Sequence, residues 1–569
     1  MGRWRWMNLF VAAWFLITLI LFLYAIPTNF GGCSDKLSQT EDKLNAFQQD
    51  VKRLGRENSD LRDLLRKAQN QLESKGDAQS SGMDWARPDL SRALSRFVDG
   101  PPLEYELMRR HIKRDLDELW WFLRDNLEGV VRKPETPAEL QTHLKGFVED
   151  IQHREQAMQV ALMNLAQVDG FEQWRKNEAK SLSDLVQKRI YTLQNPSDCQ
   201  SAKKLLCSLN KGCGFGCQVH HAIYCFIVAY GTERMLVLKS KGWKYNKAGF
   251  EELYMPLSET CPKPSLEGKR SWPGTPDRLV VELGIVDSVN PRPEFLPPSI
   301  PKDLSERIIL LHGDPIVWWV SQFLKYMLRP QRDLQQTLDE SVESQGFSSP
   351  MVGIHVRRTD KVGTEAAFHG VDEYMKHVKE YFQLQEVRQG RPIVTKSVYV
   401  ASDDPKVLAE CQKNYPDFTF HGNPDIAKSA AVSSRYNKDS LKGIIIDIHL
   451  LAQADYLVCT FSSQVCRIAY EILQERFTDG ADRFKSLDDI WYYGGQSEHQ
   501  QIAIMDHTPK NRQEIELKKG DVIGVAGNHW NGFNKGRNHR TNRVGLYPSY
   551  KTKENIKIVD FPSYPHVEL

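Results

Sequence analysis

The sequence predicts a multidomain α/β protein, with one or two doubly wound sheets at its centre, helices ahead of them and a small β-barrel behind. Three observations lead there. At 569 residues the chain is too long for one core, so two to four domains are expected. Past Cys199, short apolar runs alternate with helical patterns. Arg307-Ile308-Ile309-Leu310-Leu311, Ser397-Val398-Tyr399-Val400-Ala401 and Tyr456-Leu457-Val458-Cys459 each read as a strand. Finally, the apolar run Met351-Val352-Gly353-Ile354-His355-Val356 breaks into charge at Arg357-Arg358-Thr359-Asp360-Lys361. A buried strand has this form when its C-terminal end opens onto a ligand crevice. The near-balance of acids and bases, net +2, argues against a nucleic-acid partner.

From the N-terminus, Met7 to Ile26 is a run of twenty residues without charge, preceded by Arg3 and Arg5 and closed by Pro27. This predicts a type II anchor over 7–26, with residues 1–6 cytosolic and the remainder lumenal. A cleaved signal peptide fits less well, because the run is long, rich in aromatics and lacks a small-residue cleavage pattern. The shortness of the span suits the thinner membranes of the early secretory route. Leu37, Leu44, Val51, Asn58, Leu65 and Leu72 recur every seven residues, with Phe47, Leu54, Leu61 and Ala68 at the intervening d positions. Such heptads predict a coiled-coil stem within 27–88, and Asn58 at an a position selects a parallel homodimer. Cys33 falls on a d position if the heptads are extended back, where it could cross-link two copies. A polar, Gly/Ser-rich linker over 74–88 ends the stem. Residues 89–198 read as a helical domain, with Leu119-Trp120-Trp121-Phe122-Leu123 buried.

Ten cysteines suit an oxidising lumen, and six of them crowd between Cys199 and Cys261. Zinc is disfavoured, because the spacing of Cys213 and Cys217 lacks a paired CxxC or a well-placed histidine. Fifteen pairings of the six remain open from sequence. Cys411 shares a helical face with Val407 and Leu408 and reads as a buried free thiol.

In the central region, strand alternation puts His355 and Arg357 on one face and Arg358 on the other. Two arginines and Lys361 at a sheet edge suit a pyrophosphate. Glu365 is close enough in sequence to take a proton from an acceptor hydroxyl. Ser402-Asp403-Asp404 ends a strand and either binds ligand hydroxyls or caps a helix. Asp447, among Ile444, Ile445, Ile446 and Ile448, must have a partner, either a guanine edge or a buried ion pair. Phe461-Ser462-Ser463-Gln464 stands before a helix whose N–H groups could hold phosphate. There is no GxGxxG or Walker loop, and the single DxD, Asp115-Leu116-Asp117, lies on a predicted helix ahead of this region. Residues 499–569 resemble an SH3 barrel, in Ala503-Ile504-Met505-Asp506-His507, Leu517 to Ile523, Trp530 and Gly545 to Tyr550. Met505 and His507 replace the ALYDY tyrosines that line the proline-binding groove, so proline-rich peptides are not the expected ligand.

His355-Val356-Arg357-Arg358-Thr359-Asp360 followed by Lys361 to His369 resembles the signature of the α1,6-fucosyltransferases that modify the innermost N-acetylglucosamine of N-glycans. The resemblance runs from about Glu104 onward, through Asn210 to His221, His312 to Phe323, Cys459 to Arg467 and Gly524 to Trp530. It implies a GT-B-like, two-lobed catalytic domain over 199–498 in a Golgi enzyme, with GDP-β-L-fucose as donor substrate, inversion at the sugar, and neither metal nor cofactor. The same resemblance places guanine on His355 and Asp447, and pyrophosphate near Arg357, Tyr245, Ser463 and Gln464. Arg358, Asp403 and Asp404 would also lie at the donor. Glu365 is implied as base, helped by Lys361, while Asp360, Lys211, Asp287 and His529 match acceptor positions. The implied disulfides are Cys199–Cys261, Cys207–Cys225, Cys213–Cys217 and Cys459–Cys466. Two rival readings are a protein O-fucosyltransferase and an inactive lumenal scaffold. The first is disfavoured by the stem and barrel, the second by the presence of Arg357 and Glu365.

Overall fold

The computed structural model describes residues 100–359, 367–431, 434–488, 499–564 and 567, all within one compact unit, Asp99–Leu569. The expected anchor, heptads, Cys33 and linker lie outside the described residues, as do Asp360, Lys361 and Glu365. Among the described residues no helix is long and apolar enough to cross a membrane.

Three helices come first: α1 (Leu103–Val131), α2 (Ala138–Val168) and α3 (Glu172–Gln194). Pro102 and Pro137 precede the first two, where proline's missing N–H costs no hydrogen bond. Arg175 on α3 pairs with Glu106 on α1 and with Asp169. The expectation that residues 119–123 are buried is corrected: Trp120 is, but Leu119 and Phe122 are 55% and 40% exposed. Five consecutive helical residues span more than a full turn, so they cannot all face one core.

The first lobe carries β1 (Lys204–Ser208), α4 (Phe215–Gly231), β2 (Met235–Lys239), β3 (Arg270–Ser271) and β4 (Val280–Glu282). Its sheet is parallel, in the order β2-β1-β4-β3. Helix α4 is apolar around nearly its whole circumference, as a core helix must be. After β5 (Ser299–Pro301) come α5 (Ser305–Leu311), α6 (Pro315–Met327) and α7 (Arg332–Ser344). The predicted strand at Arg307–Leu311 is therefore a helix. A short apolar run has no periodicity to tell the two apart. Here Arg110 of α1 donates to the carbonyls of Ile309 and Leu310 at 2.8 Å each, satisfying the end of the helix from outside.

The second lobe is a five-stranded parallel sheet. It contains β6 (Met351–Val356), α8 (Val371–Gln389), β7 (Ser397–Ser402), α9 (Val407–Asn414), β8 (Thr419–His421), α10 (Pro424–Ser429) and α11 (Lys438–Gln453). Next come β9 (Tyr456–Cys459), α12 (Gln464–Leu473) and β10 (Phe484–Ser486). The strand order is β10-β9-β6-β7-β8. From β6 the chain first winds outward through β7 and β8, then returns to the other side of β6 with β9. The direction of winding thus reverses between β6 and β9, where the C-terminal ends of two strands open a crevice.

The barrel comprises β11 (Gln500–Ala503), β12 (Val522–Asn528), β13 (Phe533–Asn538), β14 (Val544–Pro548) and β15 (Thr552–Glu554). It is docked, not loosely tethered. Trp530 donates its indole N–H to the Ser486 carbonyl at 2.7 Å and meets Trp121 edge-on at 4.9 Å. The Lys485 ammonium lies 3.8 Å from the centre of one ring and 3.7 Å from the other. His507 is buried in a pair with Glu514 at 2.9 Å, so the residue standing for a groove tyrosine is turned into the barrel. Past the barrel, β16 (Lys557–Val559) pairs in parallel with β5.

Gly353 sets how closely the second-lobe sheet and α11 approach. A Cβ there would lie 3.1 Å from the Leu451 and Leu457 side chains and 3.2 Å from Ala454. Gly353→Ala is expected to destabilise the protein by about 1–3 kcal/mol through overpacking. Thermal unfolding checks this, and an unchanged Tm would show that α11 can give way.

Candidate functional site

The site is built around the end of β6. Val352, Ile354 and Val356 are packed on the α8 and α9 side, which leaves Gly353 and His355 facing α11. His355 is 4% exposed. Burial and the Arg357 charge push its pKa down to about 4, so the ring is neutral at physiological pH. Its Nδ1 has no hydrogen-bond partner among the described residues. On the same face, Tyr399 of β7 donates its hydroxyl to Asp447 of α11 at 2.7 Å. Burial raises the Asp447 carboxyl to about 7, opposed only by that one bond. The partner required by Asp447 is thus a tyrosine, not a buried cation.

Asp403, at the end of β7, gathers the end of β6. Its carboxylate accepts from the Arg358 N–H at 2.8 Å, the Thr359 N–H at 3.2 Å and the Thr359 hydroxyl. It also lies 3.2 Å from Nε of Arg357. Asp403 is therefore engaged within the protein and shapes the strand end. Asp404 accepts from the Lys406 N–H at 3.0 Å, a turn just ahead of α9, whose N-cap Lys406 has no side-chain capping bond. Arg358 turns to the opposite face from Arg357, as strand alternation requires, and makes a bidentate pair with Glu410 of α9 at 2.5 and 3.1 Å. In this structure the Arg358 guanidinium is committed to that pair instead of to the crevice. Glu410 carried no motif, and spacing alone could not have brought it to Arg358.

Across the crevice, the first lobe supplies Tyr245. Its hydroxyl accepts from the Phe215 N–H at the start of α4, at 2.9 Å. Burial pushes its pKa up to about 12, while the nearby charges of Arg435 and Arg357 pull the other way. Arg357 and Tyr245 thus sense one another from different lobes. Ser463 stands at the N-cap position of α12 without a side-chain capping bond, and the first-turn N–H groups have no partner within the helix. The loop between β9 and α12 is held by the Cys459–Cys466 disulfide and by the Phe461 N–H bond to Ser486 at 2.9 Å. His355, Arg357, Ser463 and Gln464 thus stand at or just past the C-terminal ends of β6 and β9, where the winding reverses, with Asp447 on α11 behind the sheet and Tyr245 in the first lobe. Lys211 and Asp287 form an ion pair beside the first-lobe sheet, and His529 is exposed on the turn between β12 and β13.

The four expected disulfides are all present, and Cys411 is a buried free thiol. Among the described residues one cluster has the spacing of metal ligands, Cys207, His221 and Cys225, but its two sulfurs are bonded to each other. The DxD carboxylates lie on α1, where Asp117 pairs with Lys113 and Asp115 with His111.

A family model described as the N-terminal and catalytic domains of α-(1,6)-fucosyltransferase matches residues 1–492. The chain belongs to the α-(1,6)-fucosyltransferase family. It is a glycosyltransferase. An α-(1,6)-fucosyltransferase of Drosophila melanogaster is 49% identical over 469 residues, 82% of this chain and 75% of that protein. One from Caenorhabditis elegans is 37% identical over 562 residues, 94% and 95% of the two chains. A variant SH3 domain model matches residues 503–553, within the barrel. A crystal structure of NodZ α-1,6-fucosyltransferase with GDP is 15% identical and covers 47% of this chain and 92% of its own, with a TM-score of 0.27. That likeness is too remote to carry weight.

Asp447 gives this fucosyltransferase a pH-dependent stability. Its carboxyl is raised from 3.8 to about 7 in the fold. A raised value favours the protonated form in the native state, so its stabilising effect is full below about pH 4 and lost as pH rises through about 7. Asp447→Asn keeps an acceptor for Tyr399 but cannot ionise. The variant is expected to gain stability relative to the parent as pH rises from about 5 to about 7, by on the order of 1 kcal/mol per pH unit, and the gain levels off above that, once the native carboxyl ionises. Tm measured across that range checks it, and a constant difference between the two proteins would contradict it.

Proposed function

We propose that this fucosyltransferase moves L-fucose from GDP-β-L-fucose to the 6-hydroxyl of the innermost N-acetylglucosamine of N-glycans, with inversion and without a metal ion. The observation that carries the donor reading is a neutral His355, whose Nδ1 has no partner among the described residues, on the same face of the sheet as the Asp447 carboxyl, which accepts from Tyr399. A guanine base presents adjacent N–H donors to a carboxylate, and an imidazole completes the recognition. The diphosphate would then lie between Arg357, Tyr245 and the α12 N-terminus, where Ser463 and Gln464 stand. Asp404 and Arg358 would act through the shape of the strand end.

Attack by the acceptor oxygen on the anomeric carbon breaks the bond to GDP, and negative charge grows on the diphosphate. Arg357 stabilises that charge where a metal ion otherwise would. Glu365 takes the acceptor proton as its acidity rises in the transition state, with Lys361 positioning it and Asp360, Lys211 and Asp287 holding the acceptor. The pairing of Asp115 and Asp117 on α1 supports the metal-free reading, since neither carboxylate stands at the crevice. The span at 7–26, the heptads and the disulfides support a homodimeric, type II protein of the Golgi membrane with its catalytic domain in the lumen.

The direct test is transfer from GDP-fucose to a purified N-glycan acceptor in excess EDTA. Full activity is expected, and loss restored by Mn²⁺ would defeat the metal-free reading. Arg357→Ala is expected to lower turnover about 10²–10³-fold and weaken GDP binding, whereas Glu365→Gln should stop transfer with GDP binding nearly intact. Calorimetry separates these roles, and equal losses of GDP affinity would show they are misassigned. His529→Ala is expected to raise the glycan KM with little change in that for GDP-fucose. An unchanged glycan KM in the folded variant would leave the barrel a structural part only.

A further inference from the structure

Behind the proposed diphosphate subsite lies a buried pair that none of the roles above employs. His220 on α4 is 4% exposed, and Glu471 on α12 is 0% exposed. Nε2 of His220 lies 3.1 and 3.0 Å from the two oxygens of Glu471. Its Nδ1 lies 2.8 Å from Oε1 of Gln464, at the first turn of α12. Tyr224, one turn along α4, stacks on the ring at 5.9 Å, and Arg467 is the charged residue between Gln464 and Glu471 on α12. The two helices are pressed together at this point. A Cβ on Gly216 of α4 would sit 3.0 Å from the Gln464 backbone.

Both ring nitrogens therefore face oxygen, and an imidazole that donates at both positions is an imidazolium. A buried carboxylate stays ionised only where donors meet it, and this ring meets both oxygens of Glu471. With Oε1 of Gln464 taken by the ring, the carboxamide NH₂ is the end left to point away from it. A neutral ring with its proton on Nε2 would instead present a lone pair at Nδ1. The amide would then have to turn over, giving its NH₂ to the ring and its oxygen to the crevice.

We propose that His220 is a positioning residue. Its protonated ring, held by Glu471, fixes the Gln464 carboxamide with its NH₂ toward the donor diphosphate. This deepens the donor reading above and rests on it. Donor binding should then weaken as the ring loses its proton, because a donor facing an anion is replaced by an oxygen. Losing a hydrogen bond to a charged group corresponds to about 10- to 100-fold in affinity. The residue touches no substrate atom and acts through Gln464.

The test is calorimetric binding of GDP-fucose and of guanosine from about pH 5 to about pH 8, the range over which histidine changes charge. GDP-fucose is suited to this because its diphosphate is esterified at both ends. Guanosine carries the Asp447 contribution without the phosphates, so the ratio of the two affinities isolates the diphosphate. In the parent the ratio should fall by at least about tenfold as pH rises. His220→Gln, which can bond to both neighbours without titrating, should abolish that fall. Glu471→Gln, which removes the carboxylate that stabilises the imidazolium, should move it to lower pH. Gln464→Met should weaken GDP-fucose but not guanosine, and lose the fall. If Gln464→Met binds GDP-fucose like the parent, the donor subsite and this inference both fail. If Gln464→Met weakens binding but His220→Gln keeps the parental fall, the donor reading stands and the inference is overturned. Should His220→Gln fail to bind guanosine, Glu471→Gln decides, and a fall left in place would overturn the inference.

Discussion

One buried carboxylate holds the candidate site in shape. Asp403 collects the N–H groups of Arg358 and Thr359, the Thr359 hydroxyl and the Arg357 side chain. A chain leaving a parallel strand must satisfy its backbone groups or expose them. Because β7 lies beside β6, its terminal aspartate can do this for its neighbour. The consequence is that Arg357 and Arg358 leave the sheet in opposite directions, one toward Tyr245 and the other toward Glu410. Two adjacent guanidiniums of like charge are separated in this way.

The two lobes meet through α4 and α12, and each of these helices carries a disulfide at its start. Cys213–Cys217 spans the first turn of α4, and Cys459–Cys466 ties the end of β9 to α12. Backbone amides can serve as a phosphate cradle only if they are already oriented when the ligand arrives. The crosslinks hold the two helix starts in place, and the buried His220–Glu471 contact joins the helices one and two turns further along. Orientation at the crevice thus follows from disulfides and buried hydrogen bonds well behind it.

Much of this was legible in the sequence, for identifiable reasons. The break from apolar to charged residues at Val356 marked a strand end correctly, because burial and solvation are local properties of a sequence. The isoleucines around Asp447 required a partner, but that partner, Tyr399, is 48 residues away and looked like any other strand aromatic. Glu410, His220 and Glu471 were silent for the same reason: their meaning arises only when helices are docked. The helix at Ser305–Leu311 reads as a strand because so short an apolar run carries no periodicity, and the Arg110 that completes its C-terminal carbonyls lies some two hundred residues away. The stretch Leu119–Leu123 has the composition of a core, yet Leu119 and Phe122 are exposed. Composition does not say which side of a helix faces in.

The strand pair β5–β16 has an effect on how the barrel is held. The barrel follows β10 in the chain and precedes β16, and both are built into the catalytic body. Beyond β16, the Tyr564 hydroxyl donates to the Tyr230 carbonyl of α4 at 3.0 Å. The module is therefore a loop closed at both ends, not a pendant domain on a single linker. Closure at two points keeps its local concentration at the docking surface high even when individual contacts open. It also means that a chain cut before the barrel loses a strand and a helix contact of the first lobe along with the module. Replacing the barrel with a short closed turn would remove the module and spare the lobe.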